Sequence, residues 1–253
     1  MKKIVFILVV LLLSTSLYAQ RRKKRGSTIK WISLAVKGGY GNSILFNSDV
    51  TADDNVNLNY LSPAYDIGGR LGVTFGDNFG VFFEALSSNF SQEYDIKDGT
   101  TSYIKTQEFK SLDMILELRY TSDYGFYVEA GSVFNNLTSA TETNSEQLAF
   151  VPNRDENLDD FAGNYNSLMF GLGFAAFRGD RLSVNVGLRG NYALGDFVKD
   201  SGSFYVLDDG VYNTTGTGAA TNPFSAKIML EVNYFFAFWG DATCGRGRMM
   251  FFQ

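Results

Sequence analysis

Phe224–Phe238 reads FSAKIMLEVNYFFAF. Taken every second residue, Phe224, Ala226, Ile228, Leu230, Val232, Tyr234, Phe236 and Phe238 form one face. Ser225, Lys227, Met229, Glu231 and Asn233 form most of the other. Successive side chains of a β-strand point to opposite sides, so a period of two is a strand's signature. The mean strand is about five or six residues long. An alternation sustained from 224 to 238, with one face free of charge, reads as the wall of a barrel.

The same pattern recurs upstream. Ile32, Leu34, Val36 and Tyr40 alternate with Ser33, Ala35, Lys37, Gly39 and Gly41. Tyr65, Ile67, Leu71, Val73 and Phe75 alternate with Asp66, Gly68, Arg70, Gly72 and Thr74. Val81, Phe83 and Ala85 stand opposite Glu84, and Leu112–Tyr120 carries Asp113, Glu117 and Arg119 on its polar side. Phe126, Val128, Ala130 and Phe134 oppose Glu129; Leu168–Phe174 alternates with Gly171 and Gly173; Leu182–Tyr192 alternates with Arg189. Eight strands are expected, at 31–46, 63–76, 79–94, 104–121, 124–138, 163–178, 181–198 and 223–239. The connections around 77, 122 and 179 are tight, and those around 48–62, 95–103, 139–162 and 199–222 are long. Short turns at one rim and long loops at the other, with an even strand number, are the layout of an outer-membrane barrel.

Periodicity does not say which face points inward. A soluble eight-stranded lipocalin turns its apolar face in, around a ligand. The lumen of an eight-stranded barrel is just wide enough for side chains to fill, and the Phe, Leu, Ile and Tyr of the apolar sets would crowd it. The polar sets mix small residues with charges of both signs: Lys37, Arg70, Arg119, Arg189 and Lys227 against Asp66, Glu84, Asp113, Glu117, Glu129 and Glu231. Charges of nearly balanced sign can pair in a confined space, as buried charges must. Phe75, Tyr120, Phe126, Phe236 and Phe238 lie near the tight-turn ends, where an interfacial girdle belongs. The expected fold is therefore all-β, an eight-stranded antiparallel up-and-down transmembrane β-barrel over 31–239, with a charge network in its lumen.

Met1–Ala19, MKKIVFILVVLLLSTSLYA, has a positive start, an apolar run and a small-residue approach to a cut after Ala19, and reads as a signal peptide. Its apolar run is shorter than the ~20 residues of a spanning helix. Residues 20–30 form a basic periplasmic leader, beginning Gln20 and containing Arg21, Arg22, Lys23, Lys24 and Arg25. Such a run is a solvated segment or a contact for anionic lipid headgroups. Residues 240–253 form a short tail. The net charge of −5 and the export signal argue against nucleic acid as a partner.

The signal peptide, the long alternating strands and the aromatic final strand resemble the small outer-membrane β-barrels of the OmpA/OmpX type. The end Tyr234-Phe235-Phe236-Ala237-Phe238 looks like the signal read by barrel-assembly machinery, with Tyr234, Phe236 and Phe238 carrying it. The Ala19-Gln20 junction and the size also resemble PorT-like barrels linked to type IX secretion. The resemblance implies residence in the bacterial outer membrane, with lipid, lipopolysaccharide, the assembly machinery and an envelope protein complex as partners. Unlike full-length OmpA, the chain shows only GDATCGRGRMMFFQ after Trp239.

Chemistry is sparse. The chain has no His and one Cys, Cys244, so Ser–His catalysis and His/Cys zinc sites are excluded. Asp113 and Glu117 share a face, but four residues along a strand is about 13 Å, too far for a coupled pair. Asp53, Asn55 and Asn57 lack the Gly and Glu of a calcium loop. The acidic run Glu142, Glu146, Asp155, Glu156, Asp159 and Asp160 reads as solvated. No catalytic residue, metal or cofactor is expected. The expected role is a non-enzymatic structural or accessory barrel with a charge-plugged lumen, the alternative being a narrow porin-like channel or small-molecule transporter.

Overall fold

The computed structural model describes residues 29–52, 54–76, 78–98, 101–145, 158–199, 206–208, 211–213, 219–241 and 247–251. The expected signal peptide and nearly all of the basic leader lie outside them, as do Cys244, the middle of the acidic run and the side chain of Phe238.

Eight long strands close into a ring. They are β1 (Ile29–Phe46), β3 (Ser62–Phe75), β4 (Phe79–Asp98), β5 (Thr101–Thr121), β6 (Phe126–Asn144), β7 (Asn164–Arg178), β8 (Leu182–Ala193) and β11 (Asn222–Asp241). Each pairs antiparallel with the next, and β1 closes on β11 from Trp31↔Phe238 to Phe46↔Asn222. Closure leaves no free edge within the wall, so its backbone polar groups can pair along the ladders without water. Three tight links join β3–β4, β5–β6 and β7–β8 at one rim. Gly76 (φ 59°) and Gly125 (φ 96°) supply the left-handed backbone that two of these turns require.

The alternation resolves as lipid-facing out. Leu34, Val36, Ile67, Leu71, Phe83, Leu116, Leu118, Phe170, Leu172, Leu188, Ile228 and Leu230 are all exposed on the outer wall. On β3 the apolar belt runs from Tyr65 to Phe75, matching the ~9–11 residues a tilted strand needs to cross a bilayer. The wall is thus that of a transmembrane β-barrel, which crosses a bilayer with strands.

Four expectations change at the other rim. The connection at 95–103 is not a long loop: β4 runs on to Asp98 and β5 starts at Thr101. β6 continues past 138 to Asn144, while β8 stops at Ala193 rather than 198. The long connections contain structure: a helical turn α1 (Ser48–Ala52), β2 (Val56–Asn59) paired on β4, a 3₁₀ turn at Leu158–Asp160, and a β9 (Val206–Asp208)–β10 (Val211–Asn213) hairpin. The tail is also partly a strand, since β12 (Gly247–Phe251) pairs with the end of β11.

Above the membrane belt the interior is apolar. Phe90, Phe109, Phe161 and Phe197 pack with ring centroids 4.8–5.9 Å apart, and Tyr165 stacks edge-on against Phe197 at 5.1 Å. Ile44, Leu45, Val50, Val56, Leu58, Tyr94, Ile96 and Tyr103 extend this core. Among the described residues an isolated bridge, Phe161↔Val198, ties two long connections over it.

Candidate functional site

Seven strands deliver eight charges to one level of the lumen. β1 contributes Lys37, β3 Arg70, β4 Glu84, β5 Glu117 and Arg119, β6 Glu129, β8 Arg189 and β11 Glu231. Register sets six of them in three opposite-charge cross-strand pairs: Lys37↔Glu231, Arg70↔Glu84 and Arg119↔Glu129. β7 offers only Gly171 at this level, opposite Glu129 and Arg189. A Cβ on Gly171 would sit 2.5 Å from Glu129 Oε1, so glycine there is what admits the carboxylate.

The side chains reach across the ring as well as along it. Arg189 donates through Nη1 to Glu84, through Nη2 to Glu117 at 2.8 Å and Glu129 at 2.7 Å, and through Nε to Glu129 at 2.9 Å. Arg119 donates through Nε to Glu117 (3.0 Å), through Nη1 to Glu231 (2.9 Å) and through Nη2 to Glu129 (2.6 Å). Lys37 Nζ lies 2.8 Å from Glu84, 3.4 Å from Glu231, 3.8 Å from Glu129 and 3.9 Å from Glu117. The four carboxylates therefore converge on a point that an ammonium already fills. None of the eight residues is more than 4 % exposed. Four cations face four carboxylates, the arrangement that makes burial of each charge tolerable.

The remaining expected lumen residues form a thinner layer. Lys227 bonds Asp66. Asp113 accepts from Ser88 and from Ser111 (2.7 Å). A cavity of only about 30 Å³ separates this layer from the aromatic core, room for about one water.

Counting along strands predicts two tiers, with Arg189 and Glu231 in the upper one and Arg70 beside Glu84. The register bears out Arg70 beside Glu84, while the tier of Arg189 and Glu231 is corrected. Strand tilt shears the count, bringing Arg189 and Glu231 into the main cluster. Arg70 Nη1 lies 2.9 Å from Glu231 and 3.6 Å from Glu117, while Glu84 belongs to Lys37 and Arg189. Glu142, expected in solvent, is 3 % exposed and 2.8 Å from Lys105, because β6 carries it inward above the aromatic core.

Several participants escape a search for charge. Asn185 and Asn233 each donate to Glu231 Oε1 at 2.7 Å. Arg70 lies 4.0 Å over the Phe82 ring and Arg119 4.3 Å over Tyr127, contacts in which a ring face shields a cation. Parity would have found both rings, since Phe82 and Tyr127 stand two residues before Glu84 and Glu129. Of the assembly-signal residues, Tyr234 is exposed at the wall and Phe236 is half-buried.

No protein-family model matches the chain, and no curated protein matches it. Solved structures do. The outer membrane protein OprG from Pseudomonas aeruginosa aligns at 15 % identity and TM-score 0.40, covering 85 % of this chain and 99 % of its own. Neisserial surface protein A aligns at 11 % identity and TM-score 0.38, covering 83 % and 100 %. Ail, the attachment invasion locus protein of Yersinia pestis, aligns at 12 % identity and TM-score 0.38, covering 82 % and 99 %. The PorT-like resemblance gains no support from these comparisons.

Proposed function

We propose that this chain is a non-enzymatic structural or accessory barrel of the outer membrane, its lumen closed to ions by the Lys37–Arg70–Arg119–Arg189 and Glu84–Glu117–Glu129–Glu231 cluster. One observation carries the reading: eight buried charges from seven strands, within 4 Å of opposite charge, fill a single cross-section. Water threading such a layer would have to break charge-assisted bonds that are costly to leave unmade. The aromatic core beyond it is a second seal. The absence of histidine supports a role without acyl or peptide hydrolysis. Contacts to other envelope components then fall to the long-loop end and to the segments at the tight-turn rim.

Planar-bilayer recording of the refolded full chain tests this. The expected result is no unitary conductance in molar salt. Steady ion-selective steps from the unmodified protein would overturn it in favour of the narrow channel.

A further inference from the structure

We propose that the cavity at the tight-turn rim is a binding site for a small organic carboxylate with an aromatic or apolar body. The cavity holds about 440 Å³, within the about 300–1,000 Å³ range of small-molecule sites. Trp31, Phe82, Tyr127 and Phe235 give it an aromatic wall, and Arg70 and Arg119 stand at its inner end. Trp31 and Phe235 pack with centroids 5.8 Å apart. Because the charge cluster lies directly behind the two arginines, the cavity ends there.

The three lumen arginines are not equivalent. In Arg189 and Arg119, Nε, Nη1 and Nη2 all donate to carboxylates. Arg70 donates through Nη2 to Asn233 and pairs through Nη1 with Glu231 at 2.9 Å, but its Nε has no hydrogen-bond acceptor among the described residues. Arg70 is only 4 % exposed, so this is a buried cation with donor capacity left over, in the wall of a ligand-sized cavity. The cavity's charged residues are Arg70, Arg119 and Arg178 against Asp123 and Asp180, and both aspartates belong to the rim turns. The inner end therefore favours an anion. A carboxylate matches guanidinium geometry better than any other common organic acceptor, and the aromatic wall takes the apolar body. A cationic ligand would face two arginines. The site does not depend on whether the lumen conducts, and its test reads binding, not current.

The experiment uses the full chain refolded in lipid nanodiscs and follows tryptophan fluorescence. Trp31 lies in the wall, and the chain's other tryptophan is Trp239. Phenylacetate is titrated beside phenylacetamide, its neutral isostere, and phenethylamine. Phenylacetate is expected to give a saturable change that Trp31→Phe abolishes, phenylacetamide to bind at least tenfold more weakly, and phenethylamine not to bind. Arg70→Gln should reduce phenylacetate to the level of the amide. If that variant fails to refold, Ser183→Leu carries the test: Ser183 lines the cavity outside the charge cluster, and a leucine there should block binding while the barrel stays folded. A change that does not saturate, equal affinity for the three probes, or unchanged binding in Ser183→Leu would overturn the proposal.

Discussion

The membrane-level lumen and the interior at the long-loop end are enclosed by the same strands, yet their chemistry is opposite. β5 shows the switch on one strand. From Ser111 to Arg119 its inward residues include Asp113, Glu117 and Arg119, while Leu112, Leu116 and Leu118 face out. Above Ser111 the inward residues are Phe109, Gln107, Lys105 and Tyr103, and outward stand Lys110, Glu108 and Ile104. The reversal coincides with an irregularity in the β5–β6 register between Lys110 and Ser111, where the extra residue of β6 lets that strand re-aim its side chains. What surrounds the wall explains the difference. In lipid the outer face must be apolar, leaving polar groups to the lumen. In water the outer face can be charged, and the interior becomes an ordinary apolar core. Polar pairing therefore dominates one half, beside a small apolar cluster of Leu86, Ile115, Val133 and Met169, and the hydrophobic effect dominates the other.

The largest test of that contrast removes a charge from the first region. Arg189→Ala strips a cation from Glu84, Glu117 and Glu129 at once. Leaving buried charges uncompensated should cost about 3–5 kcal/mol, read as a lower urea midpoint for unfolding from phospholipid vesicles. An unchanged midpoint would mean that water already hydrates the cluster. Phe109→Ala probes the second region. Phe109 is fully buried and touches Phe90, Phe161 and Phe197. Its truncation should cost about 3–4 kcal/mol through the cavity it leaves. The loss should be local: protease cleavage in the long connections rises while the membrane-level barrel keeps its resistance.

The wall supplies a smaller, paired test. Leu116→Arg places a charge in the lipid belt and should cost about 2–4 kcal/mol. Glu108→Leu makes the reverse change eight residues up the same strand, where the outer face meets water. It should shift the folding midpoint by less than about 0.5 kcal/mol. If the two variants refold equally well in lipid, the assignment of one to membrane and the other to water is wrong.

This reversal also marks how far the sequence could be read. Within the lipid belt an outward Leu and an inward Glu alternate, so the eight strands and the facing of all eleven lumen charges are visible from parity. Above the belt the strands carry charge outside and mixed residues inside. Asp95–Asp98, Thr101–Tyr103 and Ser139–Asn144 therefore read as loop, although they are paired strand. Partner choice was hidden for another reason. Nearest neighbours follow from register, but a long arginine in a narrow lumen bonds across the ring, so Arg70 finds Glu231 and Arg189 finds Glu84. Those pairings depend on tilt and side-chain reach, neither of which a linear count contains.

The last test concerns the ion pair that, among the described residues, breaks the pattern. Lys105 and Glu142 lie 2.8 Å apart at the long-loop end, with Gln107 donating to the other Glu142 oxygen at 3.3 Å. They are a charged pair in a region whose packing is mostly apolar. If that region behaves as an ordinary core, the pair contributes little net stability, because removing two charges from water offsets most of their attraction. Lys105→Met alone should still destabilise by about 1–3 kcal/mol, since it leaves a buried carboxylate with less than its full set of donors. Adding Glu142→Leu should recover most of that loss, leaving a double variant within about 1 kcal/mol of the parent. The double-mutant cycle, read by urea unfolding with a probe in the long connections, measures the coupling directly. Recovery would show that charge can be exchanged for apolar volume here. The corresponding exchange in the membrane-level cluster, where each carboxylate serves several cations, should fail to recover. A double variant as unstable as Lys105→Met alone would mean that both interiors depend on charge pairing, and that their difference is one of degree.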